Sequence, residues 1–398
     1  MLIAGDQQLL KQMNRMVLVR KLFNSPDLSR ADLAAAVGLT KSTVSLLVKE
    51  LVDEGWFEER ELINTGNLGR RPTPLHIDKS RIAILGAEFG VDKARLVATN
   101  LLGEVIDRSE VDYADAADYV SCFEIVSRDL VKLAKRVTGT GRTLLGLGVG
   151  LYGGVDEETG VLHYAPNLGW RNVEVIKLLK AHFAKTILNK IPLFIQNDAN
   201  VAALAQFEFG NQASVDPLVY VSIGYGVGAG VIVHDRLLTG NCGWAGEIGH
   251  TILVADGPRC SCGRHGCAEA MMGLGSLLKK TFHKKKNAGL DALLTKVEQG
   301  DPTACQAVQE AGRYLGILLN NAWSSFDPMC IVLGGPAMQI GEQFLNPALK
   351  ALNEYATASQ LPAPIITLSP YGIDVVAIGA AALVRYRLTR PYSLQKGA

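Results

Sequence analysis

Apolar residues keep a helical spacing through roughly the first eighty positions, then gather into short β-rich runs separated by helical stretches from Arg81 onward. Leu9, Met13, Met16 and Val17 give a first helix one apolar side. Ser29 is placed to cap a second helix over Arg30–Val37, with Leu33, Ala34 and Val37 turned inward. Gly38-Leu39-Thr40 makes a short turn, and Thr40 caps a third helix over 41–54. In that helix Val44, Leu47, Val48 and Leu51 form an i, i+3, i+4, i+7 stripe. Trp56-Phe57-Glu58-Glu59-Arg60 reads as the first strand of a wing, and 64–75, with its Gly, Asn, Pro and two arginines, as a linker.

Beyond the linker the pattern predicts a three-stranded antiparallel start over Ile82–Phe89, 94–100 and 104–111, an amphipathic helix over 122–137 and a buried strand over 144–150. A second set follows, with strands at Leu218–Ile223, 229–234, 330–333 and Ile365–Leu368 and helices over 200–209, 303–326 and 379–388. Two β-meanders closed by Gly-rich turns predict a duplicated α/β architecture with a cleft between its lobes. The expected division is 1–80 for the helical head with its linker, 81–198 together with 379–398 for one lobe, and 199–378 for the other.

With 398 residues the chain exceeds one ordinary core, and 48% hydrophobic against 20% charged residues is the balance of a folded protein. A net charge of only +1 means that any nucleic-acid binding comes from a local patch. The start lacks the basic-then-apolar layout of a signal peptide, and the longest apolar runs are strand-sized, so a cytoplasmic location and no membrane association are expected. In that compartment the seven cysteines are not expected to pair as disulfides.

The third helix shows Lys41, Ser42, Thr43, Ser45 and Lys49 away from its apolar stripe, short hydrogen-bonding groups and cations toward the helix N-terminus. A recognition helix meets base edges and phosphates with such groups. A plain three-helix cap with a wet polar face is the simpler account. The segment Gly66-Asn67-Leu68-Gly69-Arg70-Arg71-Pro72 argues against it, because two extended arginines directly after a helix-turn-helix suit a narrow minor groove. Ser29 and Arg30, with these residues and Arg70 and Arg71, complete the candidate DNA contacts.

His250-x9-Cys260-x-Cys262-x4-Cys267 supplies one imidazole and three thiolates, the donor set of a closed tetrahedral structural zinc site with no position left for catalysis. Three cysteines this close, interleaved with Gly263 and Gly266, are hard to explain as core packing. Zinc would pin an otherwise loop-like segment. Cys122, Cys242, Cys305 and Cys330 sit in apolar contexts and read as core.

Gly246-Glu247-Ile248-Gly249-His250, followed by Cys260-Ser261-Cys262-Gly263-Arg264-His265-Gly266-Cys267-Ala268-Glu269, closely resembles the signature of the ROK family (repressors, open reading frames and sugar kinases). Asn197-Asp198-Ala199-Asn200 and the late turn Leu333-Gly334-Gly335 match further motifs of that family. Joined to the head, the resemblance specifies the repressor branch, which includes xylose, N-acetylglucosamine and glucose-type regulators. It implies an actin-like (ribonuclease H-like) two-lobed body, behind a winged helix-turn-helix, with a monosaccharide in the cleft. Carried over by position, Asn167, Asn197, Asp198, Glu247, His250 and Glu269 would face that sugar, and Gly153 and Gly154 would let backbone approach its ring. Carboxylates and amides suit vicinal hydroxyls, and His250 would serve both zinc and the sugar side.

The rival function is an ATP-dependent sugar kinase, with Asp198 as its general base. Kinases of the family carry Asp-x-Gly-Gly-Thr-Lys in their first phosphate loop, whereas this chain has Glu88-Phe89-Gly90-Val91-Asp92-Lys93, with a carboxylate where a phosphate would sit. The second loop, Gly224-Tyr225-Gly226-Val227-Gly228, carries Tyr225 where a small hydroxyl residue is usual. Both departures favour a non-enzymatic repressor of a carbohydrate-utilisation operon. Its expected partners are operator DNA and a monosaccharide effector, xylose or another free aldose foremost. A homodimer or homotetramer is expected to place paired heads on a pseudo-palindromic operator.

Overall fold

A computed structural model describes residues 7–60, 73–91, 93–210, 215–241, 243–282 and 288–390. Arg70, Arg71, Asp92 and Cys242 lie outside the described residues.

The head consists of α1 (Gln7–Asn24), α2 (Arg30–Val37), α3 (Lys41–Asp53), β1 (Phe57–Glu59) and β2 (Leu75–Ile77). Ser29 forms a capping box: its hydroxyl accepts from the Asp32 N–H at 3.2 Å, and the Asp32 carboxylate accepts from the Ser29 N–H at 3.0 Å. Val44, Leu47, Val48 and Leu51 of α3 are all buried, as their spacing predicts. The first helix departs from expectation. Met16, Leu18, Val19 and Leu22 form its buried arc, while Val17, expected inward, is 46% exposed. The cause is a neighbour outside the head, because α1 packs on the last helix of the body as well as on α2 and α3. Leu75, expected in the linker, is instead a buried strand residue whose N–H donates to the Leu28 carbonyl at 3.0 Å. β2 pairs antiparallel with β1, Phe57 opposite Ile77, so these two strands bracket the segment 61–72.

The body begins with β3 (Ile82–Phe89), β4 (Lys93–Thr99) and β5 (Val105–Asp112), an antiparallel meander followed by α4 (Tyr119–Gly139) and β6 (Thr143–Leu151). A small antiparallel sheet of β7 (Gly154–Asp156), β8 (Val161–Ala165) and β9 (Trp170–Val173) leads through α5 (Val175–Phe183) to β10 (Leu193–Asn197). The first large sheet has the order β10-β6-β3-β4-β5, its later strands joining in parallel.

After α6 (Asp198–Phe209) the same plan repeats: a meander of β11 (Leu218–Ile223), β12 (Val227–Val233) and β13 (Arg236–Leu237) comes first. The short helices α7 (Ala268–Met272), α8 (Leu274–Phe282) and α9 (Leu290–Glu298) follow, with the long α10 (Pro302–Phe326). β14 (Cys330–Gly334), α11 (Glu342–Ser359) and β15 (Ile365–Leu368) complete a second sheet of order β13-β12-β11-β14-β15. Its two later strands are again parallel. The expected duplication of an α/β lobe is therefore present in the topology.

The last helix, α12 (Val375–Thr389), starts earlier than the expected 379 and shares an apolar core with α6 and with strands of both sheets. Its backbone lies directly against its neighbours. A Cβ on Gly148 would fall 1.8 Å from the Ala380 carbonyl, and one on Gly379 would fall 2.0 Å from that of Val201. At the far end of α6, buried Glu208 accepts from Arg385 Nε at 2.7 Å and is also paired with Arg390. The Arg385 guanidinium sits 4.1 Å over the ring of Phe23, a residue of α1. Leu18, Leu22 and Leu33 of the head share one core with Ile82, Ile84, Ala381 and Val384 of the body. Arg20 of α1 donates to Asp235, in the β12–β13 hairpin, at 2.6 Å.

Burial alone would raise the pKa of Glu208, but Arg385 and Arg390 more than offset it and hold the carboxyl below its ordinary value. Its stabilising contribution is present above the ordinary carboxylate pKa and is lost as pH falls through the lower folded value. Glu208→Gln takes from buried Arg385 and Arg390 the carboxylate they share, and a loss of about 3 kcal/mol or more is expected from urea unfolding at neutral pH.

Candidate functional site

The strand β10 delivers Asn197 to the N-terminus of α6, where its side-chain oxygen accepts from the N–H groups of Ala199 and Asn200 at 2.9 and 3.2 Å. Its amide nitrogen donates to the Gly153 carbonyl and to Asp198 Oδ1, both at 3.0 Å. Both donors and the acceptor are thus engaged, and Asn197 holds the turn between β10 and α6 instead of presenting a free amide to a ligand. Asp198 is half-buried beside it. Burial, then the nearby carboxylates of Glu247 and Glu88, push its pKa up to about 8.

From the second lobe come Glu247 and His250, at a 3-10 turn, and Glu269, on α7. Glu247 Oε2 lies 3.9 Å from His250 Nε2. Burial, and then the charge of Glu269, raise the pKa of Glu247. Glu269 accepts from the Ser261 hydroxyl at 2.7 Å and from the Val227 N–H at 3.3 Å. Asn167 approaches from the first lobe: a Cβ on Gly226 would lie 3.6 Å from its Nδ2 and 3.5 Å from Glu269 Oε2. The eight positions expected to face a sugar therefore gather where the two lobes meet.

Gly153 has φ 107°, and a Cβ there would meet the Tyr164 carbonyl at 2.1 Å. At Gly154 a Cβ would meet the indole of Trp244 at 3.2 Å, so the missing side chain makes room for that ring. Nothing local in the sequence distinguishes Trp244 from a core tryptophan.

Next to the carboxylates, His250, Cys260, Cys262 and Cys267 place one ligand atom each within 4.8 Å of one another, a group that could hold a metal ion. Cys262 Sγ and Cys267 Sγ are 3.7 Å apart, as are Cys260 Sγ and His250 Nδ1. A disulfide needs about 2.05 Å between sulfurs. Metal–sulfur bonds of about 2.3 Å in a tetrahedron set them about 3.8 Å apart, and the observed spacing fits that geometry. His250 turns Nδ1 to the thiols and Nε2 to Glu247, and burial lowers its pKa toward the neutral imidazole a metal requires. Cys122 and Cys330 are buried as expected, and Cys305 is half-buried.

Glu88 and Lys93, the two ends of the first expected phosphate loop, are engaged within the chain. Glu88 is buried, accepting from the Tyr152 hydroxyl at 3.0 Å and from Arg95 at 3.4 Å. Lys93 pairs with Glu110 and Asp112 at 2.8 and 3.6 Å. Tyr225 is half-buried against the core of the second sheet, so part of its bulk is absorbed there and not held in the loop. A separate cavity of about 680 Å³ is lined by Asp156, Glu157, Gln196, Arg236, Tyr386 and Arg387, and none of the eight sugar candidates borders it. Its Glu157 already accepts from Gln196 at 3.0 Å and pairs with Arg387.

On the head, Lys41, Ser42, Ser45 and Lys49 are exposed and Thr43 is half-buried, its hydroxyl 2.8 Å from that of Thr40. Arg30 bonds Glu59 and the Ser45 carbonyl. Ser29 is only 4% exposed and its hydroxyl donates to Asp32, so it shapes α2 and offers DNA no free group. Leu46, 58% exposed, shares the face of Ser42, Ser45 and Lys49, and its apolar side chain does not by itself mark a DNA contact. Its i+4 and i−3 spacing to Ser42 and Lys49 was the available signal, since an apolar side chain can contact a thymine methyl.

A winged helical head sharing a core with a two-lobed actin-like body defines a class in which a DNA-binding unit is fused to a kinase-like cleft module. Residues 84–387 match the ROK family, and the chain belongs to it. Residues 11–61 match the MarR family, a match confined to the head. The chain is 29% identical over 394 residues to the xylose repressor of Caldicellulosiruptor bescii, covering 96% of this chain and 97% of that protein. It is 26% identical over 332 residues to the glucokinase of Halalkalibacterium halodurans, covering 79% of this chain and 97% of the enzyme. In fold it resembles a ROK family transcriptional regulator, a homologue of the E. coli MLC protein, with a TM-score of 0.77, 22% identity and coverage of 96% and 97%.

Asp198→Asn tests the electrostatics of the cleft. Because the folded state holds a proton on Asp198 that the unfolded chain releases near its ordinary pKa, stability falls as pH rises from about 4 to about 8. The variant removes that loss. Its melting temperature is expected to exceed that of the unaltered protein clearly at pH 8 and to match it near pH 4.

Proposed function

We propose that this chain is a sugar-responsive transcriptional repressor, in which α3 and the wing bind an operator and an uncharged monosaccharide in the cleft weakens that binding. One observation carries the reading. The helix α6 starts at the acidic cleft with Asp198 and ends at the joint with the head, where Glu208 meets Arg385 under Phe23. Its 12 residues form a rod of about 18 Å between the two. Sugar hydroxyls would bond to Asp198, Glu247 and Glu269, drawing the lobes together. The movement of α6 against α12 would then shift the head. By linkage, sugar and operator oppose each other's binding by equal factors.

The cleft's chemistry supports a free aldose, xylose foremost. Glu247 already raises the proton affinity of Asp198, and Glu269 that of Glu247, and a phosphate about 4 Å from any ionised carboxylate would be repelled by about 4 kcal/mol at an effective dielectric of about 20. His250, Cys260, Cys262 and Cys267 would hold zinc, which supplies a structural cross-link. The chain's own part is to fix the 260–269 segment so that Ser261 can position Glu269 beside Glu247. Lys41, Ser42, Ser45, Lys49 and Leu46 would meet the major groove, with Arg30 and Thr43 at its edge and Arg70 and Arg71 extending to the minor groove. A two-fold dimer would pair the heads.

Asp198 keeps a sugar kinase in contention, since it occupies the position of the general base. Glu88 engaged by Tyr152 and Arg95, and the Val227 N–H engaged by Glu269, weigh against a nucleotide. A coupled assay with ATP and a panel of sugars is expected to show no turnover, and rates typical of a working sugar kinase would reverse the assignment.

The repressor reading predicts salt-dependent retardation of the chain's own upstream DNA in a gel shift, relieved by a free aldose. Binding that is absent, or indifferent to every sugar, would refute it. Arg20→Ala cuts the tie between α1 and the β12–β13 hairpin. It is expected to keep both sugar and operator affinity within about threefold while shrinking the linkage between them by about tenfold, measured by calorimetry with and without operator. Cys262→Ser is expected to lose zinc by elemental analysis and to lose relief by sugar in the same gel shift, whereas retention of both would remove the zinc assignment.

A further inference from the structure

Of the four tryptophans, Trp56, Trp170 and Trp323 are buried at 7%, 1% and 9% exposure, while Trp244 is 49% exposed. An indole left half in water on a loop forfeits about half of the burial free energy its area could provide. It is nonetheless held against the first lobe. The backbone of the same loop presses on β7, where a Cβ on Gly243 would meet the Val155 carbonyl at 2.5 Å. The six-membered edge of the ring lies 3.2 to 3.7 Å from the Cβ position of Gly154, across the junction between the lobes. Gly154 follows Gly153, whose carbonyl accepts from Asn197, and Glu247 is three residues beyond Trp244 in the chain. The ring thus stands at the rim of the acidic cleft with part of its surface uncovered, a large apolar surface beside a group of carboxylates.

We infer that Trp244 is a stacking platform for the effector and selects a pyranose ring that presents a continuous face of C–H bonds while its hydroxyls point to Asp198, Glu247 and Glu269. This assignment rests on the sugar-responsive reading and deepens it. A pyranose is amphipathic in this sense: equatorial hydroxyls lie at its rim and axial hydrogens make its face apolar. A site with acidic acceptors at the edge and an aromatic plane beside them binds both parts, the usual division of labour in a small-molecule pocket. An axial hydroxyl on the stacked face would place a polar group against the indole without a partner, so epimers differing at that carbon are discriminated. Because Trp244 comes from the second lobe and rests on the first, stacking also favours the closed cleft. Gly154 is a positioning residue for the platform, since a side chain there would displace the ring.

The test uses the full chain and a panel of free monosaccharides that includes D-xylose, D-glucose, D-galactose and D-mannose, with binding measured by calorimetry and by tryptophan emission. For any sugar that binds, a blue shift and reduced quenching by acrylamide are expected in the unaltered protein. The three buried tryptophans contribute little to either signal, so Trp244→Phe should abolish both. Trp244→Phe is expected to bind that sugar within about threefold of the unaltered protein, and Trp244→Ala about tenfold or more weakly, with discrimination between epimers reduced. Trp244→Phe, which keeps an aromatic plane, guards against a folding defect in the alanine variant. Binding with no change in emission, or equal affinity in Trp244→Ala, would overturn the platform while leaving the repressor reading intact. If no sugar binds the unaltered protein, the repressor reading fails, and the platform with it.

Discussion

The buried cluster of Glu208, Arg385 and Arg390 is the contact on which the rest of the architecture depends. One carboxylate and two guanidiniums at the ends of α6 and α12 would be too costly to bury singly, and together they fix the two helices at one end. The rest of the contact between those helices is apolar and close, as the near-touching backbones at Gly379 and Val201 require. The stacking of Phe23 on Arg385 then docks the head onto the same cluster. The head and the helix that begins at the cleft therefore meet at this joint. A cleft and a DNA-binding unit joined only by a flexible tether would have no comparable means of sensing each other.

At the other end of α6 the constraint is electrostatic. Asn197 uses all of its hydrogen-bonding capacity to hold Gly153, Asp198 and the first turn of the helix. Asp198 is left near Glu247 from the opposite lobe and Glu88 from its own, a crowding that is unfavourable unless hydroxyl donors enter or protons are retained. On the proposed reading this stored repulsion is the source of the response. A ligand rich in hydroxyl donors relieves it, so occupancy favours closure, and closure acts through a rod whose far end is pinned.

What was legible in the sequence was local. The α3 stripe, the capping residues and the ligand spacing of Cys260, Cys262 and Cys267 fall within a few turns or loops of themselves, where periodicity and spacing determine the outcome. The meander strands were recovered for the same reason. The exposed Val17, the strand at Leu75 and the joint itself could not be read this way. Arg20 and Asp235 are 215 positions apart, and Glu208 and Arg385 are 177 apart, so no window of sequence contains both partners. Ser29 shows the converse failure. Its hydroxyl type suited both a helix cap and a DNA contact, and only its burial separates the two. At the cleft the family motifs brought the right residues together but not their individual roles: Asn197 supports the turn, and the space left by Gly154 admits Trp244.

The kinship with a glucokinase narrows what had to change for a cleft of this kind to serve as a sensor. Phosphoryl transfer places a nucleotide and its divalent cation over the sugar, and the added positive charge would offset crowded carboxylates. In this chain the nearest substitute is internal. Arg95 and Tyr152 satisfy Glu88, and Lys93 is drawn to Glu110 and Asp112. With those groups engaged, the carboxylates facing the cleft lose the countercharge a kinase would recruit, and Asp198 retains its proton near neutral pH. A protonated acid is a poor general base, because its remaining lone pairs are too weakly basic to take the hydroxyl proton. It is, however, a hydrogen-bond donor set among acceptors, and the pair can recognise a hydroxyl group from both sides. On the proposed reading, the same electrostatics that disfavour catalysis therefore sharpen recognition, and the cleft can bind its sugar without consuming it.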